Sequence, residues 1–436
     1  MRIHFVGIGG IGVSALAQYY LAKGHKVSGS DLATSEITQL LQKKSAEIII
    51  TAEKSCRLGD SRDLVKRSDL VVYSPAVPKG HPELKLARRL KIGCLSYPQA
   101  LGELTKKHFT IAVCGSHGKS TTASMLGLML IRANLDPTVI VGTKLKEFGD
   151  SNCRVGKGRY LVIEADEYKD SFLNYWPKMI VLTNIDKDHL DYFGSFENLI
   201  SSFNKFIERL PSAGWLVANK DNGALRARNL RSNVRYFSSK QKKEVQKIGK
   251  ILKIPGRHNI LNALAALTAA RLLGVPEKTC LKALAEYNGS WRRFEILKES
   301  PFILVSDYAH HPSEVLATLK AAREKFRNKK IWVVFQPHQY QRTYYLWERF
   351  IRSLREAPAD RLFVTDVYDV PGRESRKIKK AVSSKKLVGA VNKKEVIYAE
   401  RENILPFLKG KLNRDKVVVI MGAGDIYNLA KEMEKW

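Results

Sequence analysis

Residues 109–122 read Phe-Thr-Ile-Ala-Val-Cys-Gly-Ser-His-Gly-Lys-Ser-Thr-Thr. The apolar, β-branched run Ile111–Cys114 predicts a buried strand, and the stretch Thr121–Ala133 predicts a helix. A turn with Gly115 and Gly118 joins them and is followed by Lys-Ser. This layout is typical of a phosphate-binding loop, because glycines let backbone N–H groups close on phosphates at a helix N-terminus.

Two side chains would give this loop its chemistry. Lys119 is expected to neutralise charge on the β- and γ-phosphates, and the Ser120 hydroxyl is expected to bind Mg²⁺. The standard pattern has a glycine five residues before Gly118, where this chain has Val113. The match is therefore to a shortened loop, Gly-x-x-Gly-Lys-Ser-Thr. A surface turn ahead of a helix is the alternative, and the strand before the turn argues against it.

Two further apolar runs end in polar residues. Residues 160–164 end at Glu164, and the stretch 179–191 passes from Met-Ile-Val-Leu into polar residues that include His189. Parallel strands ending beside the loop would bring both side chains to the magnesium of Mg·ATP. We therefore predict Ser120, Glu164 and His189 as metal ligands.

The length and charge of the chain limit its class. With 436 residues and 44% hydrophobic residues, it is long enough for two or three domains with their own cores. The formal net charge of +31 fits nucleic acid, an anionic membrane surface or polyanionic small substrates as partners. A lysine-rich composition without any such partner explains the charge equally well.

The cysteines indicate a reducing compartment. All five are scattered and none forms a Cys-x-x-Cys pair, which suits the cytoplasm and argues against disulfides or a zinc site. No run reaches the roughly 18 apolar residues of a membrane span. The first twenty residues fit a buried strand–helix unit better than a signal peptide.

The amino-terminal turn allows two ligands. Residues 3–6 predict a strand, Gly7-Ile-Gly-Gly-Ile-Gly12 opens a helix, and a second strand over 26–30 ends at Asp31. This pattern matches the dinucleotide fingerprint and, taken alone, indicates NAD. The UDP end of a nucleotide sugar needs the same backbone N–H groups, so local physics cannot separate the two.

Three segments resemble the Mur ligases, the ATP-dependent amide-forming enzymes of peptidoglycan precursor synthesis. They are Gly115–Thr122, Glu164-Ala-Asp-Glu167 and Thr183-Asn-Ile-Asp-Lys-Asp-His-Leu-Asp191. The resemblance favours UDP over NAD at the first turn. It implies an α/β fold with three domains: a Rossmann-like UDP-sugar domain (1–107), a central P-loop ATPase-like domain (108–295) and a Rossmann-like carboxy-terminal domain (296–436).

The resemblance also implies a reaction. The motifs are most similar to those of members that join L-alanine to the carboxylate of UDP-N-acetylmuramic acid through an acyl phosphate, with ATP and Mg²⁺. Lys119, Glu164, His189 and Arg293 are implied as catalytic. The implied ATP contacts are Gly115, Ser116, His117, Gly118, Lys119, Ser120, Thr121, His258, Asn259, Asn262, Arg293 and Asp307. The implied substrate contacts are Gly9, Gly10, Ile11, Gly12, Asp31, Ser74, His310 and Arg342.

The carboxy-terminal region alternates strand-like runs at 302–306, 331–335, 361–365 and 417–421 with helical stretches, which predicts a second doubly wound unit. Polar clusters follow these runs, where open α/β sheets bind ligands. One cluster has Gln339 where similar ligases usually have arginine, and Arg373 is a candidate replacement cation.

Two rival functions stay open. The nearer is a murein peptide recycling ligase, which adds a preformed peptide to the same nucleotide sugar. The more distant is a basic NTP-binding protein that acts on nucleic acid, although the chain has no recognisable RNA or DNA motif. Oligomeric state is not readable from the sequence.

Overall fold

Three β-sheets follow one another along the chain, each with its own flanking helices. The structure is a computed structural model that describes residues 1–51, 58–224, 232–370 and 376–436, with the backbone alone for 58–60. Cys56 and Arg373 therefore lie outside the described residues. The expected three-domain α/β architecture is confirmed.

The first sheet has five parallel strands in the order β3-β2-β1-β4-β5. The strands are β1 (Arg2–Val6), β2 (Lys26–Asp31), β3 (Glu47–Ile50), β4 (Leu70–Tyr73) and β5 (Gly93–Ser96). The helices are α1 (Ile11–Ala22), α2 (Glu36–Lys43), α3 (Leu58–Lys66), α4 (Pro82–Arg89) and α5 (Tyr97–Lys106). The strand order reverses between β1 and β4, so the carboxyl ends of these strands border a ligand-binding crevice.

The second sheet has seven strands in the order β12-β11-β10-β6-β9-β7-β8. They are β6 (Phe109–Cys114), β7 (Thr138–Leu145), β8 (Ser151–Arg154), β9 (Tyr160–Glu164), β10 (Met179–Leu182), β11 (Trp215–Asn219) and β12 (Asn233–Phe237). Its helices are α6 (Lys119–Arg132), α7 (Leu190–Phe193), α8 (Phe196–Ile207), α9 (Lys242–Ile251), α10 (Arg257–Leu272) and α11 (Glu277–Glu286). Because β6 lies between β9 and β10, the segments that follow these three strands meet.

Residues 211–253 are rich in charged residues, yet they contain β11, β12 and α9. Helix α9 reads Lys-Lys-Glu-Val-Gln-Lys-Ile-Gly-Lys-Ile. Its lysines make the segment resemble a charged loop, but its few apolar residues form a narrow stripe that buries Ile248. Charged residues make up most of the polar composition of α9, but the helical spacing of its few apolar residues determines its structure.

The third sheet has six strands in the order β13-β14-β18-β15-β16-β17, and only β13 runs antiparallel to its neighbour. They are β13 (Glu295–Lys298), β14 (Ile303–Asp307), β15 (Lys330–Phe335), β16 (Arg361–Val364), β17 (Val396–Tyr398) and β18 (Lys416–Met421). Its helices are α12 (Pro312–Lys325), α13 (Tyr340–Tyr345), α14 (Trp347–Glu356), α15 (Arg376–Ala381), α16 (Ser384–Val391), α17 (Arg401–Leu408) and α18 (Tyr427–Glu434). All four predicted strands are present, and the exact domain boundaries remain a prediction.

Apolar central strands and polar contacts hold the three units in place. β6, β10 and β18 are buried almost throughout, because helices cover both faces of a parallel sheet. Nε2 of Gln18 on α1 donates to Oδ1 of Asn152 on β8 at 2.6 Å. Nε1 of Trp291, just before the third sheet, donates to the hydroxyl of Tyr427 at 2.9 Å. Within the described part of the chain, no helix is long and apolar enough to cross a membrane.

Candidate active site

The loop between β6 and α6 has the predicted strand–turn–helix layout, and two of its positions accept only glycine. Gly115 has a φ of +128°, and a Cβ there would lie 2.2 Å from Oγ1 of Thr183. Gly118 has a φ of +82°, and a Cβ there would lie 2.2 Å from Oδ1 of Asn262. Helix α6 begins at Lys119, so its first N–H groups face the loop.

Residues that follow β10 hold the loop in shape. The hydroxyl of Thr183 donates to the carbonyl of His117 at 2.6 Å. Asn184 accepts from the N–H of His117 at 3.0 Å and donates to its carbonyl at 2.9 Å. The sequence predicted no role for Thr183 or Asn184. Their side chains preorganise the loop before any phosphate arrives.

The lysine of the loop is paired with a buried carboxylate. Nζ of Lys119 lies 2.9 Å from Oε2 of Glu167 and donates to the carbonyl of Gly115 at 2.7 Å. Burial opposes the charge on Lys119, but the carboxylate of Glu167 outweighs it and raises the pKa of the lysine. Lys119 is therefore a fixed cation, and Glu167 is a partner that sequence reasoning missed.

The three predicted metal ligands form two neighbouring sets. The Glu164 carboxylate accepts from the N–H of Gly142 and from the Ser120 hydroxyl. His189 instead lies in a group with Asp166 and Glu167, whose ligand atoms are within 4.8 Å of one another. All three predicted ligands line one cavity.

The chemistry of these side chains fits a divalent cation. Burial raises the pKa of Glu164, although the Gly142 N–H, Ser120, Lys119 and Arg293 all lower it. Oε1 of Glu167 is buried without a hydrogen-bond partner. Carboxylate and hydroxyl oxygens are the ligands that Mg²⁺ prefers, and a cation would relieve both features.

A cavity of about 280 Å³ lies between the second and third units. Eight of the predicted ATP residues line it: His117, Gly118, Thr121, His258, Asn259, Asn262, Arg293 and Asp307. Apolar walls from Phe237 and Ile254 and the buried amides of Asn259 and Asn262 suit a flat heteroaromatic ring with polar edges. Burial lowers the pKa of His258 to about 4, so this histidine is neutral at pH 7.

A second cavity of about 690 Å³ joins all three units, and we call it the central cavity. From the predicted site residues it is lined by Gly10, Ile11, Gly12, Ser74, Ser116, Gly118, Lys119, Ser120, Glu164, His189, Arg293, His310 and Arg342. Gly118, Arg293 and Glu314 line both cavities, so they mark the place where the cavities meet.

The two adjacent arginines of the hinge stretch have different surroundings. Arg292 is buried, donates to the carbonyl of Gly422 and lies 4.8 Å from the centre of the Tyr427 ring. Arg293 lines both cavities, with Nη1 4.0 Å from Oε1 of Glu314. Arg292 reaches the central cavity but is held by contacts with the third unit, whereas Arg293 is the one of the two that lines both cavities.

Arg342 forms a buried ion pair at the wall of the central cavity. Its Nε lies 3.1 Å from Oδ1 of Asp188, which follows β10. Burial disfavours the charge of Asp188, but Arg342 outweighs it and holds the pKa of that carboxyl well below its usual range. The pair fixes the position of the guanidinium relative to the phosphate loop.

His310 lies beside this pair as a neutral ring. Burial and the charge of Arg342 lower the pKa of His310 to about 3. Its Nδ1 lies 3.0 Å from the carbonyl of Tyr308, and because a carbonyl only accepts, Nδ1 carries the proton. Nε2 is then a lone-pair acceptor.

At the amino-terminal turn, Asp31 contacts the backbone of the turn. Its Oδ2 accepts from the N–H of Gly9 at 2.7 Å, and its Oδ1 accepts from the N–H of Leu32 at 2.7 Å. Gly10, Ile11, Gly12 and Ser74 reach the central cavity, whereas Gly9 and Asp31 do not line it. The structure thus separates two of the predicted substrate residues from the others.

Glu314 is the main site residue that sequence reasoning missed. It is the third residue of α12 and contacts His117 at 3.1 Å and His310 at 3.5 Å. Burial disfavours the charge of His117, but its contacts with Asp186 and Glu314 outweigh it and raise its pKa to about 9. Pro312 followed two residues later by Glu314 is a pattern typical of a helix start. This pattern does not indicate which side chains Glu314 contacts.

A cluster of His117, Asp186 and His311 has metal-like spacing but different chemistry. His117 is protonated, and Arg349 holds both oxygens of Asp186 at 2.9 Å. Nδ1 of His311 accepts from the N–H of Ser313, the second residue of α12. Hydrogen bonds and ion pairs within the protein therefore engage all three side chains of this cluster.

Comparisons with known proteins agree along the whole chain. Sequence models match residues 2–109 (Mur ligase family, catalytic domain), 113–270 (Mur ligase middle domain) and 292–424 (Mur ligase, glutamate ligase domain). UDP-N-acetylmuramate–L-alanine ligase of Acetivibrio thermocellus is 38% identical over 458 aligned positions, covering 99% of this chain and 95% of the relative.

Two solved structures are similar over the full length. UDP-N-acetylmuramate-alanine ligase from Thermotoga maritima has a TM-score of 0.80 and 28% identity, covering 100% of this chain and 98% of that one. A murein peptide ligase from Psychrobacter arcticus has a TM-score of 0.71 with the same coverage, and at 21% identity it shows a shared fold alone. With family models matching from residue 2 to residue 424 and a relative 38% identical over nearly the whole chain, the chain belongs to the Mur ligase family.

Proposed function

We propose that this chain joins L-alanine to the carboxylate of UDP-N-acetylmuramic acid, with cleavage of ATP to ADP and phosphate, in cytoplasmic peptidoglycan precursor synthesis. One observation carries the proposal. The amino-terminal glycine turn, the phosphate loop and the Arg342 cluster all line one central cavity, one from each unit of the chain. A nucleotide sugar, the γ-phosphate and an amino acid can therefore meet there.

In the first step the lactyl carboxylate attacks the γ-phosphorus, ADP leaves and an acyl phosphate forms. Lys119 and Arg293 are the cations placed to stabilise the charge on the transferring phosphoryl group. Mg²⁺, held by Ser120 and Glu164 with His189 nearby, would add positive charge at the phosphates. For Lys119 to contact a phosphate, the phosphate must share or replace its contact with Glu167.

In the second step the amine of L-alanine attacks the acyl carbon and phosphate leaves. The neutral His310 offers a lone-pair acceptor for an N–H of the incoming amine. Arg342 offers a guanidinium for the amino-acid carboxylate or for the muramoyl group. Closure of the three units around the bound substrates would keep water from the acyl phosphate, which water would otherwise hydrolyse.

We assign the adenosine end of ATP to the 280 Å³ cavity. We assign His258, Asn259 and Asn262 to the adenine and Asp307 to the ribose. Both oxygens of Asp307 already accept backbone N–H groups, from Ala309 and Phe294 at 2.7 Å each. Each carboxylate oxygen retains a lone pair, so Asp307 remains able to accept from a ribose hydroxyl.

Phosphate release tests the proposal. UDP-N-acetylmuramic acid is supplied with ATP, Mg²⁺ and each of the twenty amino acids in turn, and L-alanine should give the fastest release. A parallel reaction with a preformed murein peptide tests the recycling alternative. Release with the peptide and not with L-alanine would overturn the proposal. Nucleic-acid binding that collapses at high salt in a filter assay, as binding to the phosphate backbone does, would favour the more distant rival.

A further inference from the structure

A cluster of cations lies at the amino ends of the third sheet's strands, away from the active site. Lys330 begins β15, Arg361 begins β16 and Lys416 begins β18. The register pairs Lys330 with Lys416, and Trp332 with Arg361. Side chains at paired positions point to the same face of a parallel sheet, as do residues two apart on one strand. These four side chains therefore share one face.

Two aromatic rings hold three of the four cations that line this region, namely Arg361, Lys411 and Lys416. The guanidinium carbon of Arg361 lies 5.2 Å from the centre of the Trp332 ring and 5.3 Å from that of Phe407 on α17. Nζ of Lys411, just beyond α17, lies 3.6 Å from the centre of the Phe407 ring. Nζ of Lys416 lies 5.4 Å from the centre of the Trp332 ring. Such cation–π contacts fix where the charges lie without neutralising them.

The cluster surrounds an open cavity of about 480 Å³, lined by Lys330, Trp332, Asp360, Arg361, Lys411 and Lys416. Its single carboxylate, Asp360, is already engaged by Arg323 at 2.6 Å and by the N–H of Ile331 at 2.7 Å. Within the described residues, none of the four lining cations has an ion-pair partner. Like charges on neighbouring strands repel one another, so the cavity carries an excess of positive charge.

We propose that this cavity binds a small anion with two or more phosphate groups, such as an inorganic oligophosphate or the phosphate chain of a nucleoside triphosphate. Several cations around one opening match several charges on one ligand, and lysine and arginine both donate to phosphate oxygens. The site is distinct from the active site, because Asp307 and Gly422 lie at the opposite, carboxyl ends of β14 and β18. It does not depend on the proposed ligase reaction.

Calorimetry with inorganic tripolyphosphate tests the site on the full-length chain, with saturating Mg·ADP to occupy the ATP cavity. We expect saturable binding of one tripolyphosphate. The variant Lys330→Gln/Lys416→Gln should bind at least tenfold more weakly. The control Lys278→Gln/Lys282→Gln removes two exposed lysines from α11 and should bind like the wild type.

Two further measurements make every outcome decisive. ATP titrated in place of tripolyphosphate should bind the wild type and should bind Lys330→Gln/Lys416→Gln at least tenfold more weakly if the site accepts a nucleoside triphosphate. Sedimentation with phosphatidylglycerol vesicles tests the lipid source of phosphate. Sedimentation without tripolyphosphate binding would overturn the proposal in favour of a membrane surface. No saturable binding, or equal loss in both double variants, would also overturn it. Circular dichroism of the double variants separates lost binding from lost folding.

Discussion

Nζ of Lys119 lies 2.9 Å from Oε2 of Glu167, and the Glu167 side chain is only 1% exposed. Removing the lysine would leave a buried carboxylate without its cation. We expect Lys119→Ala to lower ATP-dependent phosphate release by about 10²-fold or more, since a cation facing the phosphates is lost. The variant should also lose stability, by about 3 kcal/mol or more if Glu167 stays ionised.

A double variant separates the two effects. Lys119→Ala/Glu167→Gln should recover much of the melting temperature, because the buried charge is removed, but it should not recover phosphate release. Calorimetric melting and a phosphate-release assay measure these quantities independently. Normal turnover by Lys119→Ala would rule out the phosphate-loop assignment.

The turn at residues 7–12 should bind UDP and not NAD, despite its match to the dinucleotide fingerprint. Calorimetry with UDP, UDP-N-acetylmuramic acid and NAD checks this. In Gly12→Ala the added methyl group would lie 2.8 Å from the Tyr97 ring, so UDP affinity should fall about tenfold or more. Gly80→Ala is the matched control, since its methyl group meets only Cε of Lys85 at 3.9 Å. Binding heat with NAD alone would contradict the assignment.

The features that could be predicted are those that depend on one short stretch of sequence. The loop before α6 was predictable because Gly115, Gly118 and Lys119 are specified by backbone geometry and phosphate charge within one short segment. The strand ends at Glu164 and Asp307 were predictable for the same reason, since an apolar run marks each strand. Short edge strands such as β3 and β5, four residues each and only partly buried, gave too weak a pattern.

Contacts between units were not predictable from one sequence. The roles of Glu314 and Asp188 depend on how the third unit docks against the second, because their partners lie far away in the chain. The different surroundings of Arg292 and Arg293 likewise depend on how the third unit packs. The two side chains are chemically identical, and only the carbonyls and aromatic rings around them differ. The sequence pattern predicted which segments form the site. The packing of the units determines which side chains contact one another there.

Glu164 should matter for magnesium rather than for proton transfer. Its carboxylate contacts the Ser120 hydroxyl in the central cavity, where we propose a divalent cation. We expect Glu164→Gln to raise the Mg²⁺ concentration for half-maximal rate about tenfold, because an amide oxygen is a weaker ligand than a carboxylate. Glu147→Gln, at an exposed position before β8, is the control. An unchanged magnesium dependence would indicate a structural carboxylate.

Glu83 should make the first unit acid-sensitive. The side chain is buried beside His4 at 3.4 Å and accepts from the Ser30 hydroxyl at 2.7 Å. Burial alone would raise its pKa, but His4 and the hydroxyls outweigh burial and lower it from 4.5 to about 2. A lowered folded-state pKa stabilises the fold above pH 4.5, and this contribution is lost as the pH falls from 4.5 towards 2.

Glu83→Gln should therefore destabilise the protein at pH 7 by on the order of 3 kcal/mol, which is the free energy that corresponds to lowering the pKa from 4.5 to about 2. The difference from wild type should shrink as the pH falls below 4.5. Scanning calorimetry at pH 7, 4 and 3 measures it. Glu103→Gln, whose exposed ion pair with Lys106 is worth little, should show no such trend. A difference independent of pH would show that Glu83 acts through packing.

Arg342 and its neighbour Gln339 both line the central cavity. The resemblance to the Mur ligases implies a second arginine where Gln339 stands. A charged hydrogen bond contributes roughly 1.5–3 kcal/mol, against roughly 0.5–1.5 for a neutral one. Gln339→Arg should therefore lower the KM for L-alanine or the nucleotide sugar by up to about tenfold, and steady-state kinetics with each substrate varied identifies which one it affects.

Arg342→Ala should reduce kcat/KM by at least about a hundredfold, because the remaining glutamine supplies no charge to a substrate carboxylate. It would also leave the buried Asp188 without its partner, so lost activity alone does not prove contact with the substrate. Arg342→Ala/Asp188→Asn should restore the melting temperature and not the activity, which distinguishes substrate binding from folding. Arg352→Ala, which removes an exposed arginine from α14, is the control and should behave like the wild type. If Arg342→Ala also keeps wild-type kinetics, this cluster does not bind a substrate carboxylate and the assignment of the amino-acid side of the cavity is wrong.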